Sequence, residues 1–301
     1  MRAFDDEALR KFQLSGKILR ETREEIKNFV QEGIPVIDVC EKAEHLIRKK
    51  GGEPAFPCNV SINEVAAHYT SPPSDRLRIP KDSIVKVDMG VHVDGYITDT
   101  AVSLFFHNEY RLLIKTVKKA LQAAIDEIHP GISTSRVGSI IENTVKSRGF
   151  KPISNLTGHQ IGRYQVHTGT SIPNVSRTSF SNLKLGRVYA IEPFITFPEA
   201  AGRVRDGTEV TIFQYRKRKS LSNVHAKQLL DHIKNTFRTL PFTERWIQNV
   251  VPPDSYEEAF KELLTSKSLV GYPVFIESSN KPVAQAEHTI LIVEDGCEVL
   301  T

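Results

Sequence analysis

Residues 84–106 read IVKVDMGVHVDGYITDTAVSLFF, two mainly apolar stretches separated by Asp94-Gly95. Both stretches are rich in Val, Ile, Thr and aromatic residues, which favour strands. Asp-Gly is a pair that a two-residue type I′ turn prefers. The sequence therefore predicts a β-hairpin with strands at 84–93 and 96–106, in which Val93 faces Tyr96.

Two acidic residues interrupt this hairpin. The predicted register places Asp88 opposite Ala101, and Asp99 then lies on the same face as Asp88, roughly 5 to 8 Å away as a diagonal neighbour. Two carboxylates on an otherwise apolar face repel each other unless a cation neutralises them. The hairpin therefore indicates a cation site. The alternatives are a bulge at Met89-Gly90 that shifts the register, or carboxylates that reach solvent at the strand ends.

Helical periodicity surrounds the hairpin on both sides. Apolar residues at helical spacing predict one helix pair before the hairpin and another after it, followed by further strands. The helices are expected at 5–31, about 36–50, 108–127 and about 134–148, and the strands near 153–166 and 187–197. Gly51-Gly52 supplies a left-handed end for the second helix.

The second helix pair repeats the first at an offset of 98 residues. The identities are Gly33/Gly131, Ile34/Ile132, Val39/Val137, Glu44/Glu142, Gly51/Gly149 and Pro54/Pro152. Chance alone would give about one or two identities in 22 aligned positions, and six are found. Internal repetition of this kind indicates a duplicated structural unit. We therefore expect an α+β domain built from two similar halves around a pseudo-two-fold axis.

A further helical segment follows the repeat. Helices are predicted at 224–240 and 254–268, on either side of Pro252-Pro253, and a strand pattern returns at 282–293. Residues 199–272 are thus interpreted as a helical insert in the second half. The run Arg216-Lys217-Arg218-Lys219 favours a solvated loop, with contact to ribosomal RNA as the alternative.

Composition excludes several classes of protein. The 301 residues carry a net charge of only +4, which does not mark nucleic acid as the main ligand, and no specific DNA contact is expected. The three cysteines are far apart, and the first twelve residues contain no apolar leader. Apolar runs are much shorter than the ~20 residues that span a bilayer. We expect a cytoplasmic protein without membrane contact.

Three more polar residues interrupt strand-like contexts, namely His159, Glu192 and Glu287. Each alone is more typical of a satisfied core histidine or a solvated glutamate. Together with Asp88 and Asp99 they form a hard, oxygen-rich set that suits two divalent ions. Sequence spacing alone does not show that the five meet in space.

Short motifs recur in a characteristic order over nearly the whole chain. They are Ala55-Phe56-Pro57, Ser61-Ile62-Asn63-Glu64, Ala66-Ala67-His68-Tyr69-Thr70, Val87-Asp88-Met89-Gly90-Val91-His92, Asp99-Thr100-Ala101, Gly158-His159, Ile161-Gly162, Tyr164 with His167, Tyr189-Ala190-Ile191-Glu192-Pro193-Phe194 and Ala286-Glu287-His288-Thr289. In these motifs the chain resembles the methionine aminopeptidases. The long segment between Glu192 and Glu287 is similar to the type 2 branch, and the short N-terminus is similar to its archaeal form.

The resemblance implies a pita-bread fold, with a catalytic domain at 1–198 and 273–301 and the insert at 199–272. It implies that Asp88, Asp99, His159, Glu192 and Glu287 hold two divalent ions (Co²⁺, Mn²⁺, Fe²⁺ or Zn²⁺), with Asp99 and Glu287 as bridges. His68 and His167 then line the substrate site, and Phe56, Val166 and Tyr272 form the pocket for the methionine side chain.

The implied activity is removal of the N-terminal methionine from nascent proteins with small second residues, by a hydroxide held between the two metals. Glu192 would move the proton, His68 would hydrogen-bond the oxyanion or the scissile amide, and His167 would help to hold the peptide. A monomer is expected, with ribosome contact as a further expectation. The alternatives are an X-Pro dipeptidase or aminopeptidase of the same fold, and a catalytically silent binding module for RNA or ribosomes.

Overall fold

A computed structural model of the chain describes residues 6–179, 181–217 and 219–301. The helices are α1 (Asp6–Phe29), α2 (Val36–Lys49), α3 (Tyr110–Asp126), α4 (Thr134–Lys146), α5 (Val224–Phe237) and α6 (Pro253–Thr265), with a 3₁₀ turn at Glu244–Trp246. The strands are β1 (Glu53–Ile62), β2 (Val65–Ala67), β3 (Ile84–Val93), β4 (Tyr96–Phe105), β5 (Lys151–Pro152), β6 (Thr157–Gly162), β7 (Gln165–Pro173), β8 (Val188–Ile191), β9 (Phe194–Thr196), β10 (Val204–Tyr215), β11 (Leu269–Glu277), β12 (Val283–Gln285), β13 (His288–Val293) and β14 (Gly296–Val299).

The predicted hairpin is confirmed as β3 and β4. The pairing runs without a bulge from Ile84 opposite Phe105 to Val93 opposite Tyr96, and Asp88 faces Ala101. Both turn residues have positive φ, 51° at Asp94 and 85° at Gly95, as a type I′ turn requires. The alternative of a register shift within this hairpin is therefore wrong. β1 pairs with the other edge of β3 and completes a three-stranded sheet.

The internal repeat corresponds to repeated backbone contacts. The N–H of Gly33 donates to the carbonyl of Ile79, and in the second half the N–H of Gly131 donates in the same way to Leu183. Both glycines have positive φ, 79° and 85°. Each half then packs its helix pair on strands through a separate apolar core. The predicted α+β architecture with duplicated halves is confirmed at the level of these elements.

The strand predicted near 153–166 is wrong in its extent. β6 ends at Gly162, the chain turns at Arg163-Tyr164, where φ of Tyr164 is 56°, and β7 returns antiparallel as far as Pro173. The turn was missed because it contains none of the Gly, Pro or Asn residues that usually mark turns. β6 lies inside a five-stranded sheet of order β14-β13-β8-β6-β7, which places His159 in its interior.

The segment 199–272 contains the two expected helices and also a strand that the sequence analysis missed. β10 is twelve residues long and pairs with β11, which in turn pairs with β2 of the first half. β11 runs across the expected boundary after residue 272, so the division into two domains stays a prediction. The strand pattern expected at 282–293 is divided into β12 and β13 by Ala286-Glu287. No helix in the described parts of the chain is long and apolar enough to cross a bilayer.

A buried ion pair ties this segment to the first half. Glu44 of α2 is 2% exposed and accepts hydrogen bonds from Nη1 and Nη2 of Arg245 at 3.0 and 2.8 Å. The indole Nε1 of Trp246 donates to the same carboxylate at 2.7 Å, and the backbone N–H of Cys58 at 3.3 Å. The Glu44 carboxylate therefore has all of its hydrogen-bond donors only when the segment 199–272 is packed against the first half.

We predict that Arg245→Met lowers the free energy of unfolding by about 3 to 5 kcal/mol, because the substitution leaves the Glu44 carboxylate buried without its cation. Urea unfolding at pH 7 measures the change. The double variant Glu44→Gln/Arg245→Met should recover part of the loss, since it removes the uncompensated charge. A single variant as stable as the unsubstituted protein would contradict the prediction.

Candidate metal centre

All ten side chains expected at the site line one cavity of about 250 Å³. They are Phe56, His68, Asp88, Asp99, His159, Val166, His167, Glu192, Tyr272 and Glu287. They come from both halves of the fold and, for Tyr272, from the end of the segment 199–272, so no single hairpin or helix builds the cavity. The structure therefore brings together residues that sequence spacing could only suggest as a group.

Asp88 and Asp99 project from β3 and β4 onto the same side of the hairpin. Burial raises the pKa of Asp88 to about 7, against the lowering effect of the Asn59 amide. Burial raises the pKa of Asp99 well above its usual range, and the charges of Asp88 and Glu192 add to the effect. The backbone of Asp99 is held by the Thr289 hydroxyl, which accepts from the Asp99 N–H at 2.7 Å and donates to its carbonyl at 2.8 Å.

His159 lies 5% exposed within the interior strand β6. Its Nε2 is 3.4 Å from a Glu192 oxygen and 3.8 Å from an Asp99 oxygen. Burial, with a smaller effect from the neighbouring His167, holds the pKa of His159 well below its usual value. The imidazole is therefore neutral near pH 7, and neutral imidazole is the form that ligates metal ions.

Glu287 follows β12 and is 2% exposed. Its backbone is fixed on the hairpin, because its N–H donates to the Ala101 carbonyl at 3.2 Å and its carbonyl accepts from the Thr100 hydroxyl at 2.7 Å. Burial, followed by the charges of Asp99, Glu192 and Asp88, raises its pKa well above the usual range. Asp99, His159 and Glu287 each offer one ligand atom, and these atoms lie within 4.8 Å of one another.

The cluster lacks the protein partners that buried polar atoms normally have. Oδ1 of Asp88, Oδ1 of Asp99, Oε1 of Glu287 and Nδ1 of His159 are buried without a hydrogen bond among the described residues. Buried carboxylates that remain charged need a cation close by, at a cost of several kcal/mol otherwise. Carboxylate oxygens with one imidazole nitrogen are a donor set that suits a hard or borderline divalent ion. The residues present therefore fit a metal ion.

His68 lines the same cavity and has a left-handed backbone conformation, with φ of 68°. Its Nδ1 lies 3.3 Å from the Pro273 carbonyl, and its ring packs on Phe275 with centroids 4.5 Å apart. Burial, with a smaller effect from His167, lowers the pKa of His68 to about 4. The ring of His167 lies 4.0 Å from that of His159, which places it beside the cluster.

The apolar wall of the cavity depends on one glycine. Phe56 of β1 pairs with Gly90 of β3, and a Cβ at Gly90 would lie only 2.3 Å from the Phe56 ring. Val166 and Phe56 are 6% and 7% exposed. Tyr272 completes this wall, and its hydroxyl donates to Oε1 of Gln214 at 2.7 Å.

We predict that Gly90→Ala displaces the Phe56 ring and lowers kcat/KM for a methionyl peptide by about tenfold or more, mainly through KM, because a narrowed pocket weakens side-chain binding. The metal content should be unchanged, because the substitution replaces none of the metal ligands. Steady-state kinetics with metal analysis tests this. An unchanged KM would show that Phe56 is not part of the methionine pocket.

The structure places at the site a polar residue that the sequence analysis does not name. Asn59 of β1 lies opposite Asp88 of β3, and its Nδ2 donates to Oδ2 of Asp88 at 3.4 Å. Its Oδ1 is buried without a partner among the described residues. The signal available in the sequence was the amide side chain of Asn59 in the mainly apolar middle of β1. Thr289 and Phe275 were also missed as supports of Asp99 and His68.

The profile of metallopeptidase family M24 matches residues 10–214. The chain belongs to this family. It is 43% identical to a protein of Methanocaldococcus jannaschii named methionine aminopeptidase, over 95% of this chain and 96% of that protein. This similarity confirms the resemblance that the motifs indicated, and membership of a metallopeptidase family indicates that the chain uses a divalent metal.

Solved structures agree on the fold. A thermophilic Arx1 superposes with a TM-score of 0.84 at 17% identity, over 99% of this chain and 91% of that chain. A methionine aminopeptidase from Thermotoga maritima superposes with a TM-score of 0.72 at 23% identity, over 100% and 99% of the two chains. At these identities the likeness concerns the fold alone, and it confirms the pita-bread arrangement.

Proposed function

We propose that the chain removes the N-terminal methionine from nascent polypeptides by metal-dependent hydrolysis. The observation that carries the proposal is the convergence of all ten expected side chains on one cavity. The extent of similarity to a named methionine aminopeptidase supports the same conclusion.

We assign the metal ions to Asp88, Asp99, His159, Glu192 and Glu287. Four carboxylates would balance the charge of two divalent ions, and Asp99 and Glu287 are assigned as the shared ligands. When bound, such ions lower the pKa of a coordinated water and polarise the substrate carbonyl. Co²⁺, Mn²⁺, Fe²⁺ and Zn²⁺ all accept this donor set, so the working metal depends on availability.

Glu192 is the residue we assign to proton transfer. Its side chain is 12% exposed, and its Oε1 lies 3.4 Å from His159 at the edge of the cluster. Burial, with the charge of Asp88, raises its pKa well above the usual range. That shift applies when no cation is bound; the proton-transfer role rests instead on the position of this carboxylate beside the metal ligands, from which it can take a proton from water and return it to the leaving amine.

The orientation of His68 decides which substrate atom it can contact. A carbonyl only accepts hydrogen bonds, so the contact with Pro273 requires the proton on Nδ1 of His68. With the ring neutral, Nε2 is then an acceptor. His68 would therefore accept a hydrogen bond from the scissile amide N–H rather than donate to an oxyanion. His167, beside the cluster, is assigned to holding the peptide.

The apolar wall supplies selectivity. Phe56, Val166 and Tyr272 are assigned to the methionine side chain, which is unbranched and fills an apolar slot well. The cavity of about 250 Å³ holds one side chain together with the reacting groups. We therefore infer that the cavity accepts only substrates whose second residue has a small side chain.

One assay tests this function. The metal-loaded protein, supplied with Mn²⁺ or Co²⁺, is offered Met-Ala-Ser, Gly-Pro and Ala-Pro. Release of methionine from the first alone is expected. Proline release would support an X-Pro dipeptidase or aminopeptidase, and complete inertness would support a silent binding module; either result overturns the proposal.

Compartment and partners are part of the proposal. We assign the protein to the cytoplasm, as a monomer that meets nascent chains, with ribosome contact as a further prediction. In the basic run, Arg218 lies outside the described residues, and the charges of Lys219 and Arg216 lower the pKa of Lys217. Contact of this run with ribosomal RNA stays a prediction.

A further inference from the structure

A second cavity, of about 260 Å³, lies where α1 and α3 face β4 and the start of β13. Its polar lining includes Arg23, Glu24 and Lys27 of α1, Lys118 and Gln122 of α3, and His288. Glu287 lines both this second cavity and the metal centre. The second cavity therefore lies directly behind the cluster, and none of the assigned roles uses its basic residues.

The second cavity has an excess of positive charge. Glu24 is the partner of two of its cations, with Lys27 Nζ at 2.6 Å and Arg23 Nε at 3.4 Å. Lys118 has no ion pair in the described part of the chain, and burial together with Lys27 and Arg23 lowers its pKa. Since the Glu287 carboxylate belongs to the metal cluster, three cations face one carboxylate, which leaves a local charge of about +2.

Hydrogen bonds connect this charge to the metal centre. Nη1 of Arg23 donates to the Thr100 hydroxyl at 3.2 Å, and that hydroxyl donates to the Glu287 carbonyl at 2.7 Å. The side chain of Arg23 is only 16% exposed, so its guanidinium is held in place rather than free in solvent. An occupant that binds Arg23 would therefore contact the backbone support of a metal-cluster residue through one intervening hydroxyl.

We propose that the second cavity binds an oxyanion of the phosphate class. Such an anion carries about −1.5 to −2 charges at neutral pH, which matches the local excess, and offers several acceptor oxygens. A fixed guanidinium beside two ammonium groups is a usual donor set for phosphate. A singly charged anion would leave part of the excess uncompensated.

The experiment is a calorimetric titration of the metal-loaded protein with inorganic phosphate at constant ionic strength, repeated with ADP. Lys118→Met removes the unpaired cation without leaving an acid unpaired. Lys119→Met is the matched control, because Lys119 is the next residue of α3 and is exposed like Lys118, but does not line the second cavity. Saturable binding is expected, weakened about tenfold or more by Lys118→Met and unchanged by Lys119→Met.

Phosphate could also bind to metal ions in the first cavity, and the variant pair separates the two sites. Binding at the metal ions would be equally tight in both variants, and that result overturns the proposal, as does the lack of saturable binding. Phosphate binding that depends on Lys118 supports the proposal. If ADP binds more tightly than phosphate with the same dependence on Lys118, the occupant is a nucleotide phosphate; if it does not, the occupant is free phosphate.

Discussion

Asp99→Asn is expected to lower kcat/KM for Met-Ala-Ser by about three orders of magnitude or more, the largest effect of any single substitution considered. Asp99 is 4% exposed, and its ligand atom lies within 4.8 Å of those of His159 and Glu287. The amide keeps the shape of the side chain but loses the negative charge that Asp99 supplies in its proposed role as a shared metal ligand. Because the Thr289 hydroxyl holds the backbone of Asp99, the fold should be retained.

Metal content by elemental analysis and activity with added Mn²⁺ measure this effect together. We expect the variant to bind fewer ions than the unsubstituted protein. Asp295→Asn is the matched control, since Asp295 is exposed between β13 and β14 and makes the same change of charge. A variant that keeps its full metal content and more than about a tenth of its activity would refute the role of Asp99.

Removal of the metal should make stability fall as the pH rises from 6.5 to 8.5. Asp99, Glu192 and Glu287 have pKa values well above the usual range when no cation is present. A group with a raised folded-state pKa stabilises the fold at low pH, and this contribution is lost as the pH rises towards the folded value. The expected slope is about 1.4 kcal/mol per pH unit for each carboxyl that stays protonated in the folded state.

Other groups define the pH window. Five histidines have lowered pKa values, so their contribution to stability is lost as the pH falls through about 6.5 and becomes constant only about one pH unit above that value. They are His68, His92, His159, His167 and His288. Asp88, with a pKa of about 7, contributes only at the lower end of the window. Burial lowers the pKa of Lys86 to about 7. Above that pH the unfolded state binds one more proton at Lys86 than the folded state, so this group makes stability rise with pH. The net decline requires that at least two of the three carboxyls stay protonated in the folded apoprotein, against the one amine of Lys86.

Urea unfolding of the chelator-treated protein at pH 6.5, 7.5 and 8.5 measures this decline. With Mn²⁺ restored, the carboxylates are ionised and paired in the folded state, so we expect the decline to disappear. An apoprotein whose stability is constant or rises across the window would mean that the buried carboxyls are not protonated together. That result would contradict the charge balance inferred for the cluster.

The hairpin at 84–106 could be predicted with its register because all of its signals are local. Period-two alternation and the Asp94-Gly95 turn determine which residue faces which, and the observed pairing agrees. The placement of Asp88 and Asp99 on one face followed directly. The turn at Arg163-Tyr164 was missed because these two residues carry no turn signal. The strand β10 was missed although Val210-Thr211-Ile212-Phe213 favours a strand, because the segment was interpreted as helical throughout.

The sequence pattern alone did not identify His159, Glu192 and Glu287 as metal ligands. Each is a single polar residue in a strand-like context, and the resemblance to a family was what selected them. Asn59 shows the limit of that resemblance, because it lies outside the motifs that carry it, and only the pairing of β1 with β3 brings it to Asp88. The second cavity was also unforeseen, since its cations come from two helices about a hundred residues apart.

The amino-acid order alone determined the local elements, the duplicated halves and the two aspartates of one hairpin, because neighbours along the chain interact whatever the rest of the molecule does. Only the tertiary structure decided that four carboxylates, of which Asp99 and Glu287 are fully buried, converge with one neutral imidazole and without a cationic partner among the described residues. It also decided that His68 keeps its proton on Nδ1. The reason is that burial and the distances between charges depend on residues far apart in the chain, and these two quantities determine the pKa values and the affinity for a metal ion.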